Sequence, residues 1–149
     1  MDADLKRILL AEDNANDLEL TLAALREHHL ANEVVVVRDG SEALDYLYRR
    51  GDFSQRPDVL PALILLDLKM PKVDGLEVLR QVKADARLKK TPVVMLTSSR
   101  EESDLVRSYD LGVNGYVVKP VDFTDFMEAV RQIGGFWAVV NEVPPPTRH

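Results

Sequence analysis

The chain has 149 residues, the length of one domain, and its 46% hydrophobic residues are enough to fill a core without disulfide bonds. Its 25 acidic and 19 basic residues give a net charge of -6, which argues against sequence-independent nucleic-acid binding and against adhesion to anionic membranes. The lack of cysteine excludes thiol catalysis and cysteine-ligated zinc. The longest apolar run, residues 59–66, is too short to span a membrane, and the acidic N-terminus is unlike a secretory signal, so we expect a cytoplasmic protein.

Five short runs of apolar residues recur at intervals of roughly thirty residues, which is the length of a strand–helix unit. None of these runs alternates apolar with polar residues, and this pattern predicts strands buried on both faces, as in a parallel sheet. The predicted strands are residues 8–11, 34–37, 63–66, 93–96 and 116–118.

The intervals between these runs carry the periodicity of amphipathic helices, as at Leu18, Leu22 and Leu25. A glycine ends two of the predicted helices, which cover residues 41–50 and 100–111. Strand and helix therefore alternate five times. This order predicts an α/β fold with a doubly wound parallel sheet between two layers of helices and with right-handed crossovers.

Polar residues follow four of the five predicted strands. Glu12 and Asp13 come after the first strand, Asp67 after the third, Thr97 after the fourth and Lys119 after the fifth. Ligands of doubly wound sheets bind beyond the carboxyl ends of the strands, so these side chains should converge on one edge. Each of them alone is more often a helix-terminal or surface residue, and only their joint position predicts a site.

The chemistry of this set indicates a cation beside a reactive carboxylate. Three crowded carboxylates raise one another's pKa unless a positive charge lies among them. Hard oxygen ligands with water completing the shell suit Mg²⁺, although Mn²⁺ or Ca²⁺ could take its place. An ammonium and a hydroxyl opposite would hold phosphoryl oxygens. Asp67, central in position, is the best candidate for a carboxylate that attacks phosphorus and forms an aspartyl-phosphate.

These residues carry a family resemblance over residues 5–134. The matching motifs, in chain order, are Glu12-Asp13, Asp67-Leu68-Lys69-Met70-Pro71, Asp74-Gly75, Thr97-Ser98, and Gly112 through Lys119-Pro120. The chain resembles the receiver domain of two-component response regulators. That resemblance implies five helices around a parallel sheet of strand order 2-1-3-4-5. Asp74-Gly75 is interpreted as a turn and helix start.

The resemblance also implies a role for each residue at the metal and the phosphoacceptor. Asp67 would accept a phosphoryl group from a phosphohistidine of a sensor histidine kinase. Mg²⁺ would be bound by Asp13, Asp67 and the backbone carbonyl of Lys69, with Glu12 assisting directly or through water. The only chemistry expected of the protein is therefore the Mg²⁺-dependent phosphorylation and dephosphorylation of Asp67.

Further roles concern the response to phosphorylation. Lys119 would pair with the phosphoryl oxygens, and Thr97 would hydrogen-bond to the phosphoryl group and shift toward it. That shift would leave space into which Tyr116 rotates. The peptide before Pro120 would be cis. The fourth helix, fifth strand and fifth helix would then repack as the surface that partners recognise.

Residues 135–149 form a C-terminal extension with Phe136, Trp137 and Val140 as candidate interface residues. Aromatic residues so near a chain end either fold back on the domain or are buried against another chain, and we favour a homodimer. The extension is similar to that of single-domain regulators paired with bacterial phytochrome kinases. This similarity implies a light-sensing kinase as phosphoryl donor, and a dimer built from the fourth helix, fifth strand, fifth helix and C-terminal arm. The signal would leave by protein association, without an output domain.

Four other classes of protein are alternatives to the phosphoacceptor hypothesis. A haloacid-dehalogenase-type phosphatase needs an aspartate two residues after the nucleophile, where this chain has Lys69. A flavodoxin-like cofactor carrier would have a phosphate-binding loop after the first strand, and a P-loop nucleotidase would have a Gly-x-x-x-x-Gly-Lys run. This sequence contains neither, which disfavours both classes. A scaffold that binds partners without phosphorylation stays open, and it would tolerate loss of Asp67.

Overall fold

The computed structural model describes residues 7–26 and 33–132. Within them, five parallel strands form one sheet of order β2-β1-β3-β4-β5. The strands are β1 Ile8–Ala11, β2 Val34–Val37, β3 Leu63–Asp67, β4 Val93–Thr97 and β5 Gly115–Val118. The predicted fold class and strand order are confirmed, and the strand bounds differ from the predicted ones by a single residue at most.

Five α-helices connect and follow the strands. They are α1 Ala15–Arg26, α2 Gly40–Tyr48, α3 Gly75–Ala84, α4 Arg100–Ser108 and α5 Phe123–Gln132. A short 3-10 helix, Gly51–Phe53, lies in the long loop between α2 and β3. Because β1 pairs in parallel with both β2 and β3, the chain reverses its direction of winding at β1. The ligand crevice of a doubly wound sheet lies at such a point.

The sheet is buried on both faces, which explains the lack of alternation in its strands. On one face, β-strand residues such as Leu9 and Leu66 pack with α2 and α3 residues such as Leu47 and Leu79. The opposite face packs against a second set that includes Phe126 of α5. Each fully buried leucine-sized side chain contributes roughly 1.5–3 kcal/mol to stability, so the two apolar clusters hold the strand ends in a fixed arrangement.

Two helices end earlier than the sequence predicts. The prediction that α4 extends to residue 111 is wrong, because α4 ends at Ser108 and Asp110 adopts a left-handed conformation with φ 53°. The prediction that α2 extends to residue 50 is wrong for the same reason, since Arg49 has φ 55°. Aspartate tolerates this conformation better than most residues, and a left-handed residue ends a helix wherever it occurs.

Among residues 7–26 and 33–132, no helix is both long enough and apolar enough to cross a membrane. The C-terminal extension, with the candidate interface residues Phe136, Trp137 and Val140, lies outside the described residues.

Candidate functional site

A cavity of about 200 Å³ opens at the edge of the sheet where the carboxyl ends of the strands meet. Asp13, Asp67 and Lys119 line it, together with Lys69 and Ser98. Asp67 is the last residue of β3, and Lys119 follows β5 directly. Parallel strands in register bring these distant parts of the chain together, as the strand-end pattern predicts.

Lys119 is the centre of the hydrogen-bond network in this cavity. Its Nζ lies 2.8 Å from Asp17 Oδ2, 3.2 Å from Asp67 Oδ1 and 3.3 Å from Glu12 Oε1. An ammonium group has three N–H donors, and three carboxylates accept one each. The Lys119 side chain is 15% exposed, and that of Glu12 is fully buried. The peptide between Lys119 and Pro120 is cis, the geometry that the resemblance implies.

Burial and mutual repulsion shift the acid–base properties of these groups. Burial first, and then the hydrogen bond and charge of Asp67, raise the pKa of Glu12 to about 7. Burial also raises the pKa of Asp67, although the hydrogen bond with Glu12 and the charge of Lys119 oppose this change. Burial disfavours the ammonium form of Lys119, but the hydrogen bond that Lys119 donates to Asp17 and the charges of Asp67 and Glu12 outweigh this effect and raise the pKa of Lys119 above its ordinary value.

Three carboxylates of this site lie close enough together to hold a cation. One oxygen each from Glu12, Asp13 and Asp67 lies within 4.8 Å of the other two. Carboxylate oxygens are the ligands that Mg²⁺ and Mn²⁺ prefer, and a buried carboxyl with a pKa near neutrality is stabilised by a nearby cation. These residues therefore fit a divalent cation. The ammonium of Lys69 pairs with Glu102 at 3.1 Å, so the side chain of Lys69 is engaged with α4.

Thr97 lies at the end of β4, but its hydroxyl bonds to α4. Thr97 Oγ1 is 2.7 Å from Ser103 Oγ, and both side chains are buried. The Ser103 hydroxyl donates in turn to the carbonyl oxygen of Ser99 at 3.3 Å. Because that hydroxyl has only one proton, Thr97 is the donor in the arrangement that satisfies both bonds. The β4–α4 residue that lines the cavity is Ser98.

Tyr116 lies on β5 and is half-buried, with the guanidinium of Arg107 4.3 Å from the centre of its ring. The two residues line a second cavity, of about 270 Å³, between α4, β5 and α5. Arg107 belongs to α4, so the aromatic ring of β5 is held against the same helix that binds Thr97.

The connection from β3 to α3 places Asp67 against the start of α3. The Asp74 side chain accepts a hydrogen bond from the backbone N–H of Glu77 and so caps α3, as the sequence predicts. A Cβ on Gly75 would lie 2.3 Å from the backbone oxygen of Asp67, which only glycine avoids. The Asp74-Gly75 pair is therefore structural, and it fixes the backbone that carries Asp67.

Asp17 was not predicted from the sequence, although it makes the shortest contact with Lys119 in the site. It lies in the first turn of α1, which starts at the same edge of the sheet because β1 ends there. Its position four residues after Asp13 was the available signal, since a helix that begins at Ala15 keeps its first turn beside the strand end.

Comparison with known proteins identifies residues 8–131 as a match to the family model described as the response regulator receiver domain. Response regulator Rcp1 of Synechocystis is 40% identical over 139 residues, which cover 93% of each chain. A solved structure of Rcp1 is described as its Mn²⁺-bound form. It has a TM-score of 0.71 and 39% identity, and the match covers 95% of this chain and 99% of that one.

Two further solved structures are similar. The bacteriophytochrome response regulator RtBRR is 64% identical with a TM-score of 0.88, and the match covers 95% of this chain and 85% of that one. The phosphorylated cyanobacterial phytochrome response regulator RcpA is 42% identical with a TM-score of 0.72, and the match covers 95% of this chain and 99% of that one.

Proposed function

Because the chain belongs to the response regulator receiver family, we propose that it is a phosphoacceptor switch in which Asp67 receives a phosphoryl group from a sensor histidine kinase. The observation that carries this proposal is the position of Asp67, whose carboxylate shares the ammonium of Lys119 with Glu12 and Asp17 beside a cation-binding cluster. The phosphorylated state of the relative RcpA supports the same chemistry.

In the proposed reaction, an oxygen of the Asp67 carboxylate attacks the phosphorus of a phosphohistidine. A new O–P bond forms, the P–N bond breaks, and the imidazole nitrogen keeps the electron pair of that bond. Lys119 donates N–H groups to the phosphoryl oxygens, and it already contacts Asp67 at 3.2 Å. The hydroxyl of Thr97 exchanges Ser103 for a phosphoryl oxygen, and Tyr116 then rotates into the space that Thr97 leaves.

The cation of this site is proposed to be Mg²⁺. Glu12, Asp13 and Asp67 would hold it through carboxylate oxygens, with the backbone carbonyl of Lys69 as a further ligand. When bound, a divalent cation offsets the negative charge of the carboxylates and of the phosphoryl oxygens. The Mn²⁺-bound state of Rcp1 supports a divalent cation in a receiver of this type.

We assign the receiver domain to residues 5–134 and a C-terminal extension to residues 135–149. The similarity to a bacteriophytochrome response regulator favours a phytochrome-type kinase as the donor, which would meet this protein in the cytoplasm. The signal would leave through a homodimer built on α4, β5, α5 and the extension. The cavity between α4, β5 and α5 supports this choice, because Tyr116, whose rotation would report phosphorylation, lies in its wall.

Incubation with acetyl phosphate and Mg²⁺, followed by intact mass measurement, tests the proposed function. We expect a single adduct of one phosphoryl group that survives acid and is lost in base. Asp67→Asn should gain none, while Asp58→Asn, at an exposed carboxylate that pairs with Arg87 outside the site, should gain it as the natural protein does. If the natural protein gains no phosphoryl group, or Asp67→Asn gains it equally, the protein is a scaffold and the proposal is wrong.

A further inference from the structure

We propose that Asp17 is a positioning residue that retains Lys119 in the unphosphorylated protein and thereby slows phosphorylation of Asp67. The inference rests on the proposed function, and it assigns a role to a residue outside the cation-binding cluster. Asp17 would set how readily this receiver accepts a phosphoryl group.

The geometry makes Asp17 the nearest carboxylate partner of Lys119 in the described site. The Asp17 contact with Lys119 Nζ is 2.8 Å, against 3.2 Å for Asp67. All three N–H donors of the ammonium are thereby taken by carboxylates, so a phosphoryl oxygen must displace one of them. Charge-assisted hydrogen bonds of this length are stronger than neutral ones. Displacing a carboxylate from Lys119 therefore costs free energy and slows the transfer of the phosphoryl group.

Asp17 differs from the other two partners in what else it can bind. Glu12 and Asp67 belong to the cluster whose oxygens fit a divalent cation, and Asp17 does not. A cation bound to that cluster would offset the negative charge of Glu12 and Asp67 and weaken their attraction for Lys119. The ion pair between Asp17 and Lys119 would not be weakened in this way, so it would persist in the metal-bound protein.

Asp17 also adds negative charge where the reaction must add more. Asp17 and Asp67 pair with the same ammonium, and a phosphoryl group on Asp67 carries nearly two further negative charges. The Asp67 side chain is 6% exposed and that of Asp17 is 31% exposed, so water screens the repulsion between them only in part. Loss of the Asp17 charge should therefore favour the phosphorylated form.

A simpler explanation of Asp17 is that an acid in the first turn stabilises a helix. The chain contains a matched case that separates the two roles. The backbone N–H of Asp17 donates to the capping side chain of Asn14, and the backbone N–H of Glu77 donates to that of Asp74 at the start of α3. The Glu77 side chain pairs with Arg80 of the same helix, whereas that of Asp17 pairs with Lys119.

The test compares Asp17→Asn, Asp17→Glu and Glu77→Gln in the full chain. Each is incubated with Mg²⁺ and a series of acetyl phosphate concentrations, and the initial rate of adduct formation is read by intact mass. We expect Asp17→Asn to react about fivefold faster than the natural protein or more, and Glu77→Gln to stay within about twofold of it. Asp17→Glu keeps the negative charge, so its rate should be close to that of the natural protein.

The proposal for Asp17 is overturned if Asp17→Asn reacts no faster than Glu77→Gln, or if Asp17→Glu accelerates the reaction as much as Asp17→Asn. A thermal unfolding scan of each variant shows whether it is folded, and a purely helix-stabilising role would shift Asp17→Asn and Glu77→Gln alike. If the natural protein forms no adduct at all, both the proposed function and the role of Asp17 are wrong. If the natural protein reacts and the Asp17 variants do not differ from it, only the role of Asp17 fails.

Discussion

At the scale of single residues, Glu12 is a carboxyl group whose ionised form the site disfavours. Its side chain is fully buried, and it shares the ammonium of Lys119 with Asp67, whose hydrogen bond and charge also raise the Glu12 pKa. An ordinary glutamate titrates near pH 4.5, whereas this one has a pKa of about 7. In the metal-free protein Glu12 therefore holds a proton over a range in which the unfolded chain has already lost it.

This difference predicts a pH dependence of stability with a definite sign. Between the two pKa values the folded protein binds more protons than the unfolded chain, so the free energy of unfolding falls as the pH rises through that window. We expect the Tm in the presence of EDTA to be lower at about pH 7.5 than at about pH 5.5. Mg²⁺ should raise the Tm more at the higher pH, because it replaces the proton among the carboxylates.

Glu12→Gln is the control for this prediction, since glutamine does not titrate and keeps the size of the side chain. Its Tm in EDTA should change less between the two pH values. A Tm of the natural protein in EDTA that rises over the same range would contradict the assignment of the buried proton to Glu12.

A second prediction at this scale concerns the hydroxyl pair of Thr97 and Ser103. Ser103→Ala leaves the buried Thr97 hydroxyl without its 2.7 Å partner, which should destabilise the unphosphorylated protein by about 1 kcal/mol. The loss should be smaller with beryllofluoride and Mg²⁺, because a phosphoryl mimic on Asp67 gives Thr97 another partner. Chemical denaturation with and without beryllofluoride measures both values. Equal losses in the two states would show that Thr97 does not change partners, and Ser54→Ala, at an exposed serine, serves as the control.

At the scale of elements, the connection from β3 to α3 fixes the position of the backbone that carries Asp67. Asp74 caps the helix, and Gly75 lets the first turn of α3 approach the backbone of Asp67 and Leu68. The N–H of Gly75 also donates to the carbonyl oxygen of Leu68 at 2.9 Å. The backbone of Asp67, the proposed phosphoacceptor, is thus held by the pairing of β3 with its neighbouring strand β4 and by the start of α3.

Gly75→Ala is expected to strain this connection. A Cβ at this position would meet the carbonyl oxygen of Asp67 at 2.3 Å, and because that atom belongs to the backbone, β3 or α3 would have to move. We expect a loss of about 3 kcal/mol in the free energy of unfolding, measured by denaturant titration. Gly115→Ala is the control, since its nearest contact would be the side chain of Ala129 at 3.4 Å. A loss no greater than that of the control would contradict the close approach.

The elements themselves were largely predictable from the sequence, and their ends were less so. Buried strands such as Ile8–Ala11 are runs of apolar residues with no alternation, and the structure confirms them because both faces of the sheet are covered. The end of α4 could not be predicted correctly because Gly112, a residue typical of helix ends, indicates a helix that continues past Asp110. The sequence alone does not show that Asp110 adopts a left-handed conformation.

At the scale of the whole molecule, fold and site could be inferred together because the strand order fixes which residues meet. The positions of Asp67, Glu12 and Lys119 at one edge follow from the parallel sheet. The partner of Thr97 and the contact of Asp17 with Lys119 could not be inferred, since they depend on rotamers and on the rotation of α1 and α4 against the sheet. Such details are set by packing, which a pattern of residue types does not encode.

The proposed homodimer is also a prediction about the whole molecule. Sedimentation equilibrium of the full chain should give the mass of two chains, and removal of residues 135–149 should shift the mass toward one. Asp67→Asn in the full chain shows whether assembly needs phosphorylation. A mass of one chain for the full-length protein, with and without beryllofluoride, would exclude the dimer.

The contact between Lys119 and Glu12 joins residues 107 positions apart in the chain. Contacts of such long separation are completed late in folding, because the intervening chain must first be ordered. During synthesis the carboxylates of the pocket emerge well before the lysine that neutralises them. A chain that stops before β5 carries these acids without Lys119, the ammonium that pairs with three of them. Under the proposed function, an unfinished chain therefore lacks the group that would hold the phosphoryl oxygens, and competence for phosphorylation is gained only after β5 has been made.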